Sequence, residues 1–293
     1  MSTNVIEIHE LKKYYGKHRG IESVTFSVEE GEIYGFIGPN GAGKSTTIRT
    51  LLALIHPTAG HATIFGLDCI KDAPRIAQEV GYLPSEAYYY EHMTVRELLK
   101  YSADLYRMDC TKRILALSGR LNLDLKRKVS ELSFGNRKKV GIVGALLHSP
   151  SLIILDEPTS GLDPLVQQVF FEILKEENEK GASILFSSHV LSEVQKICGR
   201  VAVLKEGQII DIQKISDLKE NGYKKIQLAV KKAIPDGYFN ACNVAEFRQS
   251  GSTASFIFHG DVSVLLEKLY RLDVVDVFIA EPSLEEIFLH YYK

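Results

Sequence analysis

The chain has 293 residues, 45% of them hydrophobic and 25% charged, and its formal net charge is -2. Such a composition is typical of a globular protein with one large or two modest domains, and it gives no general attraction to nucleic acid or anionic lipid. The apolar runs, such as Val140–Leu147, are far shorter than the roughly 20 residues that a membrane-spanning helix needs. The cysteines are scattered without a C-x-x-C pair, and the N-terminus lacks the apolar core of a signal peptide, so we expect a cytosolic protein with reduced thiols.

The first two-thirds of the chain predict an α/β sheet that is mainly parallel. Val5–His9 and Thr25–Val28 alternate in polarity like strands of an antiparallel pair. Ile33–Ile37 is an apolar run that leads into a glycine-rich loop, and a helix is expected over Lys44–Leu54. Buried apolar strands that alternate with helices favour a parallel sheet. The later elements of this pattern are strands at Leu152–Leu155, Ile184–Ser187, Val201–Leu204 and Gln208–Ile212, and helices at Pro164–Lys180 and Ser192–Cys198.

Two regions depart from this alternation. Thr94–Met108 and Ile114–Leu123 have the spacing of amphipathic helices, which predicts a helical insertion over about residues 86–150. We predict a first domain over residues 1–213 and a small α+β domain over residues 214–293, where Ser283 and Glu286 form a capping box. The elements expected in this second domain are strands at Lys225–Val230, Ala254–His259 and Val274–Ala280 and helices at Val262–Leu272 and Ser283–Tyr292.

The loop after the strand at Ile33–Ile37 reads GPNGAGKST and fits the pattern G-x-x-x-x-G-K-[ST] at every fixed position. Glycines let such a loop bend until its backbone N–H groups converge on phosphate oxygens, at the positive end of the following helix. Lys44 is placed to neutralise the β- and γ-phosphates, and Ser45 offers a hydroxyl to Mg²⁺. The residues assigned to the nucleotide are Gly38, Pro39, Asn40, Gly41, Ala42, Gly43, Lys44, Ser45 and Thr46.

A pair of acids follows the apolar strand predicted at Leu152–Leu155. The strand carries Asp156 to the carboxyl edge of the sheet, where it can hold Mg²⁺ through water. Glu157 points differently, since successive side chains of a strand alternate, and it is the candidate to orient and polarise the attacking water. The sequence contains no N-K-x-D motif of the kind that recognises guanine, and this argues against a GTPase.

The stretch from Leu132 to Pro164 places a Ser-x-Gly element, Ser133-Phe134-Gly135, at the start of a predicted helix shortly before the acidic pair. This combination resembles the ATP-binding cassette (ABC) family, the nucleotide-binding subunits of ABC transporters. The resemblance implies an α/β P-loop NTPase fold of the ABC ATPase type, with a mainly parallel core sheet, an antiparallel β region and a helical subdomain. It also implies ATP and Mg²⁺ as cofactors, with Lys44 and Glu157 in the catalytic set.

The same resemblance assigns further residues. His189 falls at the position of the family's switch histidine, which contacts the γ-phosphate. Tyr15 matches the aromatic residue that stacks on adenine, with an ordinary edge-strand aromatic and the neighbouring Tyr14 as open alternatives. Ser133 and Gly135 are expected to close on the γ-phosphate of a nucleotide bound by a second copy, and Asp163 belongs to the loop that crosses this interface.

Two places depart from the family pattern. Phe134 and Asn136 replace the Gly and Gln of the usual LSGGQ signature, while the Ser and Gly that face phosphate are kept. After Pro84 the family generally carries a glutamine that reaches Mg²⁺ and reports nucleotide state to the membrane partner. This chain has Ser85, which is too short for that task, and then Glu86, the candidate to bind the metal after a one-residue shift.

The segment that follows is rich in tyrosine. In the family it grips a cytoplasmic helix of the membrane subunit, so Tyr88–Tyr90 are expected to line that groove, and packing within the subdomain is the alternative. The tail, which contains EPSLEEIF, resembles that of ABC-2-type exporter ATPases. The implied function is the ATPase subunit of an exporter of drugs, lipids or amphipathic peptides.

The partners under this interpretation are a second ABC ATPase subunit, either an identical copy or a paralogue, and a separately encoded transmembrane permease. No nucleic acid partner is expected. The chain would reach the membrane only through the permease, at the cytoplasmic face, and the small second domain is assigned to dimerisation. The alternative is a non-transport ABC ATPase that acts on a soluble macromolecular complex.

Overall fold

A computed structural model of the chain describes residues 3–220, 223–235, 237–239 and 242–280. The chain divides into two compact units, the first ending at Ile212 and the second beginning at Gln213. The predicted helix at Ser283–Tyr292, with its capping box, lies outside the described residues. Among the residues that are described, no helix is both long and apolar enough to cross a membrane.

The first unit is built on a ten-stranded sheet. Its strands lie in the order β5-β4-β1-β2-β10-β9-β3-β8-β7-β6. Their bounds are β1 Asn4–Tyr15, β2 His18–Glu29, β3 Ile33–Ile37, β4 Ala59–Ile64, β5 Leu67–Asp68, β6 Val80–Leu83, β7 Leu152–Asp156, β8 Ser183–Ser188, β9 Arg200–Lys205 and β10 Gln208–Lys214.

The sheet has a parallel half and an antiparallel half. Strand β3 pairs in parallel with β8 and β9, and β7 pairs in parallel with β8 and β6. Strand β1 pairs antiparallel with β2 and β4. Every residue of β3, β7 and β8 is buried, which is the condition of a strand covered on both faces. The predicted mainly parallel core with an antiparallel region is therefore confirmed.

The helices of the first unit are α1 Lys44–Leu51, α2 Ala73–Glu79, α3 Val95–Leu105, α4 Thr111–Arg120, α5 Phe134–Leu146, α6 Pro164–Glu179 and α7 Leu191–Ile197. Helix α3 begins with a capping box that the sequence analysis did not identify, in which the Glu97 N–H donates to Thr94 Oγ1 (3.3 Å) and the Thr94 N–H donates to the Glu97 carboxylate (2.8 Å). The predicted helix over Thr94–Met108 is shorter at its C-terminus because Arg107 adopts a left-handed conformation at φ 55°.

The second unit contains a four-stranded antiparallel sheet in the order β12-β13-β11-β14. Leu265 and Leu269 of its second helix pack with Phe256 and other buried residues of the sheet, so the unit has an apolar core of its own. The bounds are β11 Tyr223–Val230, β12 Val244–Ser250, β13 Thr253–His259, β14 Val274–Ala280, α8 Ile215–Glu220 and α9 Val262–Tyr270.

A buried histidine makes the first unit sensitive to acid. His148 follows α5 and stacks on Tyr106, with ring centroids 3.8 Å apart and an interplanar angle of 10°. Burial lowers the pKa of His148 to about 4. The folded chain therefore keeps this ring neutral at pH values where the ring of the unfolded chain, with an ordinary pKa near 6.5, already binds a proton.

We predict that His148→Phe removes part of the acid sensitivity of folding. The stabilisation is fully present above about pH 6.5, and by about pH 4 roughly 3 kcal/mol of it is lost in the wild type but not in the variant. Urea unfolding across this range measures the difference. His56→Phe replaces an exposed histidine and is expected to follow the wild-type slope. Parallel curves for wild type and His148→Phe would contradict the prediction.

Candidate active site

The glycine-rich loop joins β3 to α1 and can be built only from glycine at two of its positions. A Cβ at Gly38 would lie 2.4 Å from the Leu204 carbonyl oxygen. A Cβ at Gly43, which has φ 111° and caps α1, would lie 2.7 Å from a methyl group of Ile21. The first N–H groups of α1 have no carbonyl partner inside the helix, so the loop presents donors and the positive helix end to an anion.

Lys44, the first residue of α1, is held over this loop. Its Nζ donates to the carbonyl oxygens of Gly38 (2.7 Å) and Pro39 (3.3 Å), and it lies 3.1 Å from Glu157 Oε1. The side chain is buried, although Pro39, Asn40 and Gly41 at the tip of the loop are exposed and Ala42 is buried. The structure thus brings the lysine and the second acid together directly.

Asp156 ends β7 and is fully buried. The hydroxyl of Ser187, on the adjacent strand β8, donates to Asp156 Oδ1 (2.9 Å). The other oxygen, Oδ2, has no hydrogen-bond partner among the described residues. A buried carboxylate oxygen without a donor is costly, and a cation or a cation-bound water would satisfy it. Ser45, half-buried in the first turn of α1, supplies the hydroxyl of the predicted metal pair.

Glu157 has a conformation that few glutamates adopt. Its φ is 50°, in the left-handed region, which costs roughly 1–3 kcal/mol for a residue with a side chain. Its N–H donates to the carbonyl oxygen of Ser187 (3.2 Å), and its Oε2 contacts Nδ1 of His189, just beyond β8. Lys44, Glu157 and His189 therefore form one connected line of charged and polar groups.

The Ser-x-Gly element belongs to another part of the surface. Ser133 caps α5 by accepting from the Asn136 N–H (3.4 Å), and Asp163 caps α6 by accepting from the N–H groups of Leu165 (3.1 Å) and Val166 (3.0 Å). A Cβ at Gly135 would lie 2.6 Å from the carbonyl oxygen of Gly161. Within the described chain no hydrogen bond joins Ser133 or Asp163 to the loop at residues 38–46.

The aromatic ring of Phe134 also rests on Gly161, because a Cβ there would lie 2.3 Å from a ring carbon. Phe134 is the first residue of α5 and is 57% exposed. The start of α5 and the loop that precedes α6 therefore form one packed patch, and Phe134, one of the two residues that depart from the usual signature, contributes to this packing.

Tyr15 lies beside the start of α1. It ends β1, is 46% exposed, and its ring carbon and the Thr46 methyl group would each be 3.0 Å from a Cβ at Gly20. Tyr14 is half-buried and its N–H donates to Thr58 Oγ1 (2.9 Å). The Tyr15 ring therefore lies near Thr46, the last residue assigned to the nucleotide.

Glu86 is not brought to this site. It is exposed, its carboxylate accepts a hydrogen bond from the Tyr88 hydroxyl (3.4 Å), and it lines a groove together with Tyr89 and residues of α2, α3 and α5. The two residues that sequence reasoning missed are Ser187, which orients Asp156, and Lys138, whose buried Nζ donates to the carbonyl oxygens of Pro84 (3.2 Å) and Ser85 (3.0 Å).

A glycine loop between a parallel strand and a helix, facing an acidic pair at the end of a neighbouring strand, defines a P-loop nucleoside triphosphatase. Residues 21–160 match the ABC transporter family. The chain is 33% identical over 99% of its length to the bacitracin transport ATP-binding protein BcrA of Bacillus licheniformis, of which 97% is covered. It is 30% identical over 98% of its length to the linearmycin resistance ATP-binding protein LnrL of Bacillus subtilis, again with 97% covered.

A solved structure of the ATP-binding subunit of an ABC transporter superposes with a TM-score of 0.69 at 33% identity. The match covers 74% of this chain and 92% of the other. The chain belongs to the family of ABC transporter ATP-binding proteins, and it is an ATP-binding enzyme that hydrolyses ATP.

We predict that Gly43→Ala lowers ATP affinity at least about tenfold, because the new methyl group is strained at φ 111° and meets Ile21 and the Gly20 carbonyl. Titration with a fluorescent ATP analogue measures it. Gly119→Ala in α4, where nothing lies within 4 Å of the new Cβ, is the matched control. It should keep the ATP affinity and add up to about 1 kcal/mol of stability. Equal affinities for the two variants would contradict this assignment of Gly43.

Proposed function

We propose that this chain is the ATPase subunit of a multi-component exporter, in which two such subunits bind ATP between them and drive a separate permease. The observation that carries the proposal is the division of the predicted site residues into two patches. Lys44, Asp156 and Glu157 form one patch, and Ser133 with Gly135 belongs to the other. A second copy would bring the Ser133 patch to the nucleotide held at the first.

The chain's own residues support a simple hydrolytic sequence. Lys44 Nζ lies 3.1 Å from Glu157 Oε1. When ATP phosphates take Lys44 as their partner, the Glu157 carboxylate becomes free to accept a proton from the attacking water. His189 contacts the other carboxylate oxygen and fixes its direction. Ser45 and Asp156 would hold Mg²⁺, which neutralises charge on the phosphates when bound.

The second patch has the chemistry of an anion cradle. Ser133 caps the N-terminus of α5, a helix of 13 residues, so a hydroxyl lies beside a positive helix end. Phe134 packs this cradle onto Gly161, next to Asp163. Both elements would therefore approach a partner nucleotide together. The partner is an identical copy or a paralogue, and the second domain, residues 214–293, is assigned to stabilising this pair.

The groove that contains Glu86 supports a permease partner. Tyr88 is 92% and Tyr90 60% exposed, and the Tyr90 ring makes an edge contact with Tyr101 on α3. Tyr89 is more buried, and this burial raises the pKa of its hydroxyl to about 12. Exposed tyrosines over an apolar floor suit the docking of an amphipathic helix. The chain would then be peripheral, at the cytoplasmic face of the membrane.

The relatives suggest the class of cargo. BcrA is a bacitracin transport protein and LnrL a linearmycin resistance protein, and both share nearly the full length of this chain. Export of an amphipathic peptide, drug or lipid is the corresponding proposal here. The selecting surface lies in the permease under this scheme, so identification of the membrane protein that co-purifies with the chain is the direct test of cargo class.

We predict that Glu157→Gln keeps ATP binding and accumulates a nucleotide-bound dimer, because removal of the carboxylate prevents activation of water while both phosphate patches remain. Light scattering after size exclusion with Mg-ATP measures this. Lys44→Ala should remain monomeric and lose ATP affinity by at least about a hundredfold, the size of a lost charge-assisted contact of roughly 3 kcal/mol. A Glu157→Gln variant that stays monomeric with ATP bound would contradict the composite site.

We predict that replacing Tyr88 and Tyr90 together with alanine leaves the ATPase rate of the isolated chain within about twofold of wild type, because these side chains are exposed and distant in sequence from the phosphate loop. Co-purification with the permease should fall at least about tenfold, as expected when aromatic anchors are lost. Tyr270→Ala, in the second unit and 91% exposed, is the matched control. Unchanged permease capture by the double variant would refute the docking assignment.

A further inference from the structure

A buried lysine links the signature helix to the segment that leads into the tyrosine groove. Lys138 lies in the second turn of α5 and is only 5% exposed. Its Nζ donates to the carbonyl oxygens of Pro84 (3.2 Å) and Ser85 (3.0 Å). These residues directly follow β6, and two residues separate Ser85 from Tyr88.

Burial of a lysine requires compensation, because an ammonium group loses its hydration on leaving water. Desolvation lowers the pKa of Lys138 to about 8, and the negative charges of Asp156 and Glu157 act in the opposite direction. The ammonium group therefore lies in the field of the acidic pair while its hydrogen bonds hold the Ser85 backbone. An apolar residue at this place would satisfy packing but would leave two part-buried carbonyl oxygens without this donor.

Helix α5 contacts the same segment a second time, about one turn further along the helix, at Gly141. A Cβ at Gly141 would lie 2.6 Å from the Tyr89 hydroxyl and 2.6 Å from a methyl group of Leu83, so helix and segment are in close contact there. The N-terminus of this helix carries Ser133. One rigid helix thus runs from the cradle for a partner nucleotide to the groove proposed for the permease.

We propose that Lys138 is a positioning residue that fixes the segment from Ser85 to Tyr90 to α5, so that contact with nucleotide at Ser133 alters the permease groove. The inference rests on the proposed composite ATP site and deepens it. It also gives a role to the backbone of Ser85, which stands where the family generally carries a glutamine. Lys138 acts through this segment and touches no reacting atom.

Hydrogen exchange of the full chain, measured with and without Mg-ATP in the Glu157→Gln background, tests the link. In the parent, ATP should slow exchange both at residues 38–51 and at residues 82–91. In Lys138→Met the protection at 38–51 should remain, whereas the ATP response at 82–91 should fall at least about threefold, since the tether that transmits it is missing. Lys139→Met, which removes the same charge from the next residue, is expected to behave as the parent.

Rescue separates the tether from a general effect of packing. Lys138→Gln keeps an N–H donor on a shorter side chain, so its response at 82–91 should lie between those of Lys138→Met and the parent. Should Lys138→Met not fold, a response in Lys138→Gln equal to that of Lys139→Met would overturn the proposal. An unchanged response at 82–91 in Lys138→Met would do the same. If ATP failed to slow hydrogen exchange at residues 38–51 in the parent, the composite ATP site itself would be refuted.

Discussion

The site depends on the parallel register of three buried strands. Ile37 at the end of β3 is paired with Ser188 of β8, and Asp156 at the end of β7 is paired with Ser187. Because parallel strands end at the same edge, this register places the phosphate loop, the acidic pair and His189 close together at that edge. The hydrogen bond from Ser187 to Asp156 crosses the strand boundary, so the strand that positions His189 also orients the buried acid.

The backbone strain at Glu157 is offset by the contacts that surround this residue. A left-handed glutamate persists only where its surroundings hold it, and here Lys44, His189 and Ser187 all contact it. The turn lets the carboxylate meet Lys44 while its neighbour Asp156 remains buried with one unpaired oxygen. Two adjacent acids thus occupy different environments, which is the condition for one to hold a cation while the other handles water.

Much of this arrangement could be predicted from the sequence because the responsible signals are local. The strand–loop–helix unit around Gly43 and the apolar strand before Asp156 require particular residue types at fixed spacing. Helix α2 and strand β4 were missed because APRIAQE and AGHATI contain few large apolar residues, and β12 because its residues, VAEFRQS, lack a clear apolar alternation. The position of Glu86 could not be predicted, since spacing along the chain does not show which way an irregular segment turns.

Lys138 could have been found by a pattern argument. It shares a buried helix face with Ile142 and Ala145, at i+4 and i+7, so a charged residue stands where the period of α5 requires an apolar one. Such a local conflict is a recognised sign of a functional constraint. What the sequence could not supply was the pair of acceptors, because Pro84 and Ser85 are 54 and 53 residues away along the chain.

The two buried lysines interact with the acidic pair in different ways, Lys44 by direct contact and Lys138 by its charge at a longer distance. Lys44 touches Glu157 directly and is the cation that phosphate can take away. Lys138 makes its hydrogen bonds elsewhere, so its charge stays near Asp156 and Glu157 whichever partner Lys44 has. Because charges interact strongly where water is excluded, this second cation attracts the acidic pair both before and after nucleotide binds. The same two hydrogen bonds that keep this cation in place also hold the segment that leads to the groove.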